Sequence, residues 1–339
     1  MSPVNEKIAK ALSELGISLP EPPARVVHAP KSKKTEKSSS ESTTSQTEQT
    51  EQGDKPIHVS LIMPVEPTDY VEPDWAQFLF NVWDDMDDTP GVMVDGPRGT
   101  GKTQAVMVYA ARRNKPLLVC NCNQEMTPDS LLGSPRIDMK GVGGDYLQMG
   151  PIALAAKLGA VLFMDEVNYL PPATQAVNNP LMDTVQNGIF LPYTGERIEW
   201  ENPKIVAAFN SGYAGTREIN QAFFDRFEPL VAEYLPLRQE ATLIVNRTGC
   251  EYQLAERAVR TANAIRAAAK GDNGNVMPLE FDLSPRALFS FARRVVSGKQ
   301  DINRAWKEAV IGRVGSGIRR SGARETVRQL SIQIGNFQV

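Results

Sequence analysis

The sequence predicts an α/β fold, a parallel five-stranded sheet flanked by helices, followed by a small all-α lobe. Three observations carry that prediction. From Pro56 onward short, near-continuously apolar runs alternate with helical patterns, as strands covered on both faces by crossover helices should. After about residue 237 the apolar runs stop and only helical periodicity continues. The 339 residues, 41% hydrophobic and 23% charged, can bury a sizeable core in a chain of more than one lobe.

Taken in order, Asn5 to Leu15 places Ile8, Leu12 and Leu15 at helical spacing, with Gly16 as a candidate C-cap and Pro20 barring continuation. This short amphipathic helix either docks a partner or packs back on its own domain. Lys31 to Lys55 contains no apolar residue, so burial cannot offset its ordering entropy and disorder is expected. Residues 1–55 therefore read as a tail, residues 56–236 as the α/β core and residues 237–339 as a helical lid. Strands are expected at Gly91–Asp95, Leu117–Asn121, Ala160–Met164, Ile205–Phe209 and Leu230–Tyr234. Helices are expected between them at Lys102–Arg113, Pro151–Leu158 and Pro172–Gln186, the last two opening with proline at the first helical position. In the lid, helices are expected at Ala241–Asn246, Tyr252–Lys270, Pro285–Val296 and Ile302–Gly312.

Composition narrows the function classes. No apolar run approaches the ~20 residues that span a bilayer. The opening MSPVNEKIAK contains Glu6 and no continuous apolar stretch, so no secretory signal is expected. Cys120, Cys122 and Cys250 are too few and odd in number for a disulfide framework, and His28 and His58 alone cannot build a histidine metal site. Cys120-x-Cys122 is spaced too tightly for a zinc knuckle and reads as buried packing thiols. A soluble, cytoplasmic protein is the expectation. The net charge of −3 is unevenly spread: residues 56–239 hold 13 Lys/Arg against 23 Asp/Glu, and residues 240–339 hold 16 against 9. The basic end could face the acidic body of a second copy, or could be a solvated helical surface.

The chemistry concentrates after the first strand. Gly96, Pro97, Arg98, Gly99, Thr100, Gly101, Lys102 and Thr103 match G-x-x-x-x-G-K-[ST], with a strand before and a helix after. The glycines let backbone N–H groups turn inward around phosphates, and the helix adds its positive end. Lys102 would reach the β- and γ-phosphates of ATP and the Thr103 hydroxyl would coordinate Mg2+, and Gln104 is counted with them as a nucleotide-binding candidate. The third strand ends in Asp165-Glu166. Asp165 sits where a magnesium-ordering carboxylate belongs, and Glu166 can orient and deprotonate the attacking water.

These motifs, with TPDSLLGS (127–134), GPIALAAKLGAVLFMDEVNYLPPATQ (150–175), GERI (195–198), AAFNSGYAGTREINQAFFDRF (207–227) and LSPRAL (283–288), make the chain resemble an AAA+ ATPase with a P-loop NTPase core. It is similar above all to the MoxR branch, including its CbbQ/NorQ and cobaltochelatase small-subunit relatives. The resemblance covers roughly residues 90–290. Arg98 departs from it, because the family often has proline there.

The resemblance implies further roles. Asn210 matches sensor 1, which helps hold the attacking water. Arg226 in FFDRF matches an arginine finger acting on the neighbouring subunit's ATP, with Arg217 as the runner-up; a guanidinium suits the charge spreading over the transferring phosphoryl group. Arg286 matches sensor 2 on the lid. Residues 134–149 correspond to a helix-2 insert and 188–200 to a pre-sensor-1 hairpin, loops that either grip a client at a ring's pore or pack between subunits. The implied protein is a magnesium-dependent ATPase forming a homo-oligomeric ring, a hexamer, that remodels or activates a client. Such clients include proteins with a von Willebrand A domain, and the activity could serve metal-cofactor insertion or act as a chelatase motor. The alternative is a nucleic-acid-stimulated helicase or translocase. Only Arg313, Arg319, Arg320, Arg324 and Arg328 favour it, and the acidic middle opposes it.

Overall fold

Six strands, not five, make the central sheet. The computed structural model describes residues 59–85, 91–136, 146–177, 188–200, 202–210, 219–270, 283–314 and 321–339. The tail helix at Asn5–Leu15, the Lys31–Lys55 stretch, Arg217, Arg319 and Arg320 lie outside the described residues, as do 137–145 of the insert and 178–186 of the third expected helix.

In chain order the core contains β1 (Val59–Ile62), α1 (Asp74–Asp85), β2 (Gly91–Asp95), α2 (Lys102–Arg112), β3 (Leu117–Asn121), α3 (Pro128–Leu132), β4 (Gly133–Arg136) and β5 (Tyr146–Met149). It continues with α4 (Pro151–Leu158), β6 (Val161–Asp165), α5 (Pro172–Ala176), β7 (Gly188–Phe190), β8 (Arg197–Glu199), β9 (Lys204–Phe209), α6 (Gln221–Phe224) and β10 (Glu228–Val231). From Leu237 on, the described elements are helical: α7 (Leu237–Thr248), α8 (Tyr252–Lys270), α9 (Pro285–Val296), α10 (Ile302–Ala309) and α11 (Ser321–Gln333), with a 3-10 turn at Ile311–Val314.

The sheet runs β1-β3-β6-β9-β2-β10. The last five strands pair in parallel, and β1 joins β3 antiparallel, with Val59 opposite Cys120. This corrects the five-stranded expectation. VSLI carries no strand signal of its own, because an edge strand with Ser60 exposed and Leu61 and Ile62 half-buried lacks the continuous apolar run of its neighbours. In β2 and β6 the first four residues are buried and only the terminal Asp95 and Asp165 open toward solvent. Asp95 pairs with Phe209, and Asp165 with Ala208, so the C-terminal ends of β2, β9 and β6 lie side by side. The expected fifth strand is shifted: it covers Glu228–Val231, in register with Val92–Asp95, and leaves the sheet where β2 ends.

Among the described residues, two apolar clusters form core. In the first, α1 buries Leu79, Phe80 and Trp83 against Val106 and Tyr109 of α2 and the β2, β6 and β9 faces. In the second, Phe291, Trp306 and Phe337 unite α9, α10 and the chain's end, Trp306 stacked on Phe337 at 4.0 Å and Phe291 edge-on to Trp306 at 5.1 Å. The helix expected to run to Gly312 stops at Ala309, and α7 extends beyond its expected bounds between Pro236 and Gly249, the latter at φ 72°. Cys120, Cys122 and Cys250 are buried and free.

Candidate functional site

The loop after β2 owes its path to glycine at two crowded points. A Cβ on Gly96 would lie 2.3 Å from the Ala232 carbonyl oxygen, so β2 and the segment after β10 can be this close only without a side chain. Gly99 adopts φ +89°, and its Cβ would lie 2.8 Å from Pro285 Cδ at the start of α9. The N-terminus of α2 at Gly101 has no side-chain cap, which leaves the first amides of an eleven-residue helix available at its positive end. Lys102 Nζ donates to the Gly96 carbonyl and, at 3.4 Å, to the Pro97 carbonyl. Thr100 Oγ1 donates to the same Pro97 oxygen at 3.1 Å. Burial lowers the Lys102 pKa, with Asp165 and Asp95 opposing.

Across from the loop, β6 delivers Asp165 and Glu166. The Glu166 N–H donates to Asp165 Oδ1 at 3.0 Å. Burial pushes the Asp165 carboxyl above its ordinary range, and the Lys102 charge opposes that rise. Glu166 sits at φ 58°, a left-handed conformation uncommon for a residue with a side chain. Its Oε1 accepts from Arg98 Nη2 at 3.1 Å. Asn210 follows β9, and its Nδ2 is buried with no hydrogen-bond partner among the described residues. A buried donor without a partner is costly, and this one borders the cleft.

One cleft is lined by the run Arg98–Gln104 together with Asp165, Glu166, Asn210 and Arg286. Gly96 and Pro97 form the back of the loop and do not line it. Arg286 reaches the cleft from α9, which Pro285 opens at its first turn. Arg226 is elsewhere: exposed just after α6, its Nη1 donates to the Ala222 carbonyl of its own turn.

Sequence reasoning missed several residues around this cleft. Arg247 and Phe289 line it, and an adjoining pocket adds Tyr70, Tyr234 and Glu240. Arg247 Nε meets Asp69 Oδ2 at 2.5 Å while its guanidinium lies over the Phe289 ring at 5.5 Å. The Tyr70 hydroxyl is buried without a partner among the described residues. None of these residues sits in a recognisable motif; Tyr70 comes from a proline-rich connection with no periodicity. The donor chemistry fits Mg2+. No cluster of three or more His, Cys, Asp or Glu that could hold a metal exists among the described residues. The Thr103 hydroxyl and Asp165 carboxylate, both on the cleft, are hard oxygen donors of the kind Mg2+ takes when phosphates and waters complete its shell.

A family profile, the AAA domain of the dynein-related subfamily, matches residues 91–227. The denitrification regulatory protein NirQ of Pseudomonas aeruginosa is 30% identical over 221 residues, covering 65% of this chain and 81% of NirQ. The chain is a MoxR-type AAA+ ATPase. NirQ of Stutzerimonas stutzeri is 29% identical, covering 61% of this chain and 72% of that protein. An uncharacterised protein of Staphylococcus haemolyticus is 31% identical, and the match spans 59% of its length and 47% of this chain. The profile begins on the first residue of β2 and ends just past α6. This AAA+ ATPase therefore carries its phosphate loop, acidic pair, Asn210 and Arg226 inside the matched span, and Arg286 beyond it. None of its described helices is long and apolar enough to cross a membrane.

Proposed function

We propose that this ATPase hydrolyses ATP with Mg2+ inside a homo-oligomeric ring, a hexamer, and uses turnover to remodel or activate a partner protein. One observation carries the reading: the phosphate loop, the Asp165–Glu166 pair, Asn210, whose Nδ2 has no partner among the described residues, and Arg286 of the helical lobe line a single cleft. The loop amides and Lys102 hold the triphosphate oxygens. Thr103 and Asp165 would hold Mg2+, which would supply neutralisation of charge on the phosphate oxygens. Glu166 accepts a proton from water as the water oxygen bonds to the γ-phosphorus and the bond to the β–γ bridging oxygen breaks. Asn210 orients that water. Arg226, exposed and outside its own subunit's cleft, is free to enter a neighbour's.

Because Arg286 rides on α9, the nucleotide's charge is read by the helical lobe as well as by the sheet, so turnover can move one against the other. A partner-directed role also suits relatives named as regulatory proteins. A client with a von Willebrand A domain, and metal-cofactor insertion or chelation as the outcome, follow from the same branch. The nucleic-acid reading rests on arginines of which two, Arg313 and Arg328, turn their Nε inward to the oxygens of Ala309 and Val339, and the acidic middle of the chain opposes it.

The test is a pair of variants and a chelator. Glu166→Gln should bind ATP normally and turn it over about a hundredfold or more slower. Lys102→Ala should lose affinity for ATP itself, and EDTA should abolish phosphate release from the wild type. Full turnover by Glu166→Gln would remove the base assignment. Stimulation by DNA and not by any protein partner would replace the remodelling role.

A further inference from the structure

We propose that Arg98 is a positioning residue: its guanidinium fixes the orientation of the Glu166 carboxylate toward the water it activates. The proposal rests on the reading of Glu166 as the base. Its geometric ground is the 3.1 Å contact between Arg98 Nη2 and Glu166 Oε1, which bridges the phosphate loop and the end of β6. Arg98 is the only side chain hydrogen-bonded to that carboxylate among the described residues.

The Glu166 backbone is fixed at both ends. Its N–H donates to Asp165, and its carbonyl accepts the Tyr169 N–H at 3.0 Å. The side chain is not so constrained, because 45% of it is exposed and glutamate has several rotatable bonds. The arginine's own base is anchored, since the Tyr234 hydroxyl donates to the Arg98 carbonyl at 3.3 Å and the next residue, Gly99, abuts Pro285. An ion pair this exposed adds little to stability, so its consequence is where the carboxylate points. The contact uses Oε1 and leaves Oε2 outside the pair, so the base keeps an oxygen with which to take a proton. Phosphate binding itself asks nothing of the side chain at this position of the loop, so the contact with Glu166 is open to a separate role.

Arg98→Ala and Arg98→Lys are to be made in the wild type and in Glu166→Gln, with steady-state ATPase and the affinity for a fluorescent ATP analogue measured for each. Arg98→Ala should lower kcat about tenfold, as misplacing a base does. KM for ATP and analogue affinity should stay within about twofold, and Arg98→Lys should recover part of kcat. In the Glu166→Gln background Arg98→Ala should cause no further loss, because the carboxylate it orients is gone. An unchanged or higher kcat, a raised KM, or an additional loss in that background would each overturn the proposal. Full turnover by Glu166→Gln alone would sink the base reading itself, whereas a slow Glu166→Gln beside a fully active Arg98→Ala would sink only the role of Arg98. The lysine variant keeps a donor and a charge on this half-exposed position, so the comparison survives any loss of folding in the alanine variant.

Discussion

Gly99 and Gly101 share a positive φ, +89° and +93°, yet differ in what surrounds them. A Cβ at Gly101 meets nothing within 4 Å, whereas one at Gly99 would lie 2.8 Å from Pro285 Cδ and 3.2 Å from Ser284 Cβ. Alanine at either place incurs backbone strain of about 1–3 kcal/mol. At Gly99 it must also push back the start of α9, which carries Arg286. Urea unfolding should therefore show Gly101→Ala destabilised by about 1–2 kcal/mol, and Gly99→Ala by more, with weaker ATP binding in addition. Equal losses in the two variants would mean that the contact with Pro285 is not rigid. The loop was legible in the sequence because its chemistry is contiguous. The partners of Arg98 were not: Glu166 lies 68 positions away and Tyr234 lies 136. Contacts of that span are set by the sheet order, which no local pattern encodes.

Between elements, the join of α7 and α8 depends on a pair that no periodicity announces. Arg266, 5% exposed, meets Glu240, 1% exposed, through two bonds of 2.8 Å. Its Nε donates to the Leu283 carbonyl at 2.9 Å, and the Tyr234 ring lies 3.8 Å beneath its guanidinium. The pair thus ties α7 and α8 to the residues that lead into α9 and to the tyrosine that holds the phosphate loop. Removing one member leaves the other charged and buried with the opposite charge of the pair gone, which costs about 3–5 kcal/mol. Glu240→Ala should lower the urea midpoint accordingly, while Glu256→Ala, which breaks the exposed pair with Arg260, should change stability by less than about 1 kcal/mol. Similar effects from both would contradict the burial argument. Elements with a uniform environment were the ones readable in advance: the doubly covered strands, and α8, found at its expected Tyr252–Lys270 bounds. The edge strand β1, the β4–β5 ribbon and the polar helix α11 were not, since each is half-exposed or stabilised by packing that its own residues do not advertise.

For the whole molecule, the question is whether one chain completes its own site. Lys102, Asp165, Glu166, Asn210 and Arg286 share a cleft, but Arg226 is exposed outside it. If Arg226 serves a neighbour, the ring contact is heterologous, with one face offering the cleft and the other the arginine. Arg226→Ala then spoils the neighbour's pocket and spares its own, whereas Lys102→Ala does the reverse. Each variant alone should be nearly inactive. Mixed in equal amounts before assembly, the two should regain about a quarter of wild-type turnover, the share of contacts in which an intact pocket meets an intact arginine at random. The recovered rate should peak at equal proportions and vanish toward either pure variant. An exposed arginine acting within its own subunit would give no recovery at any ratio. A size measurement on each pure variant completes the argument, because a variant that fails to assemble would be silent for a different reason, and both are expected to assemble as the wild type does.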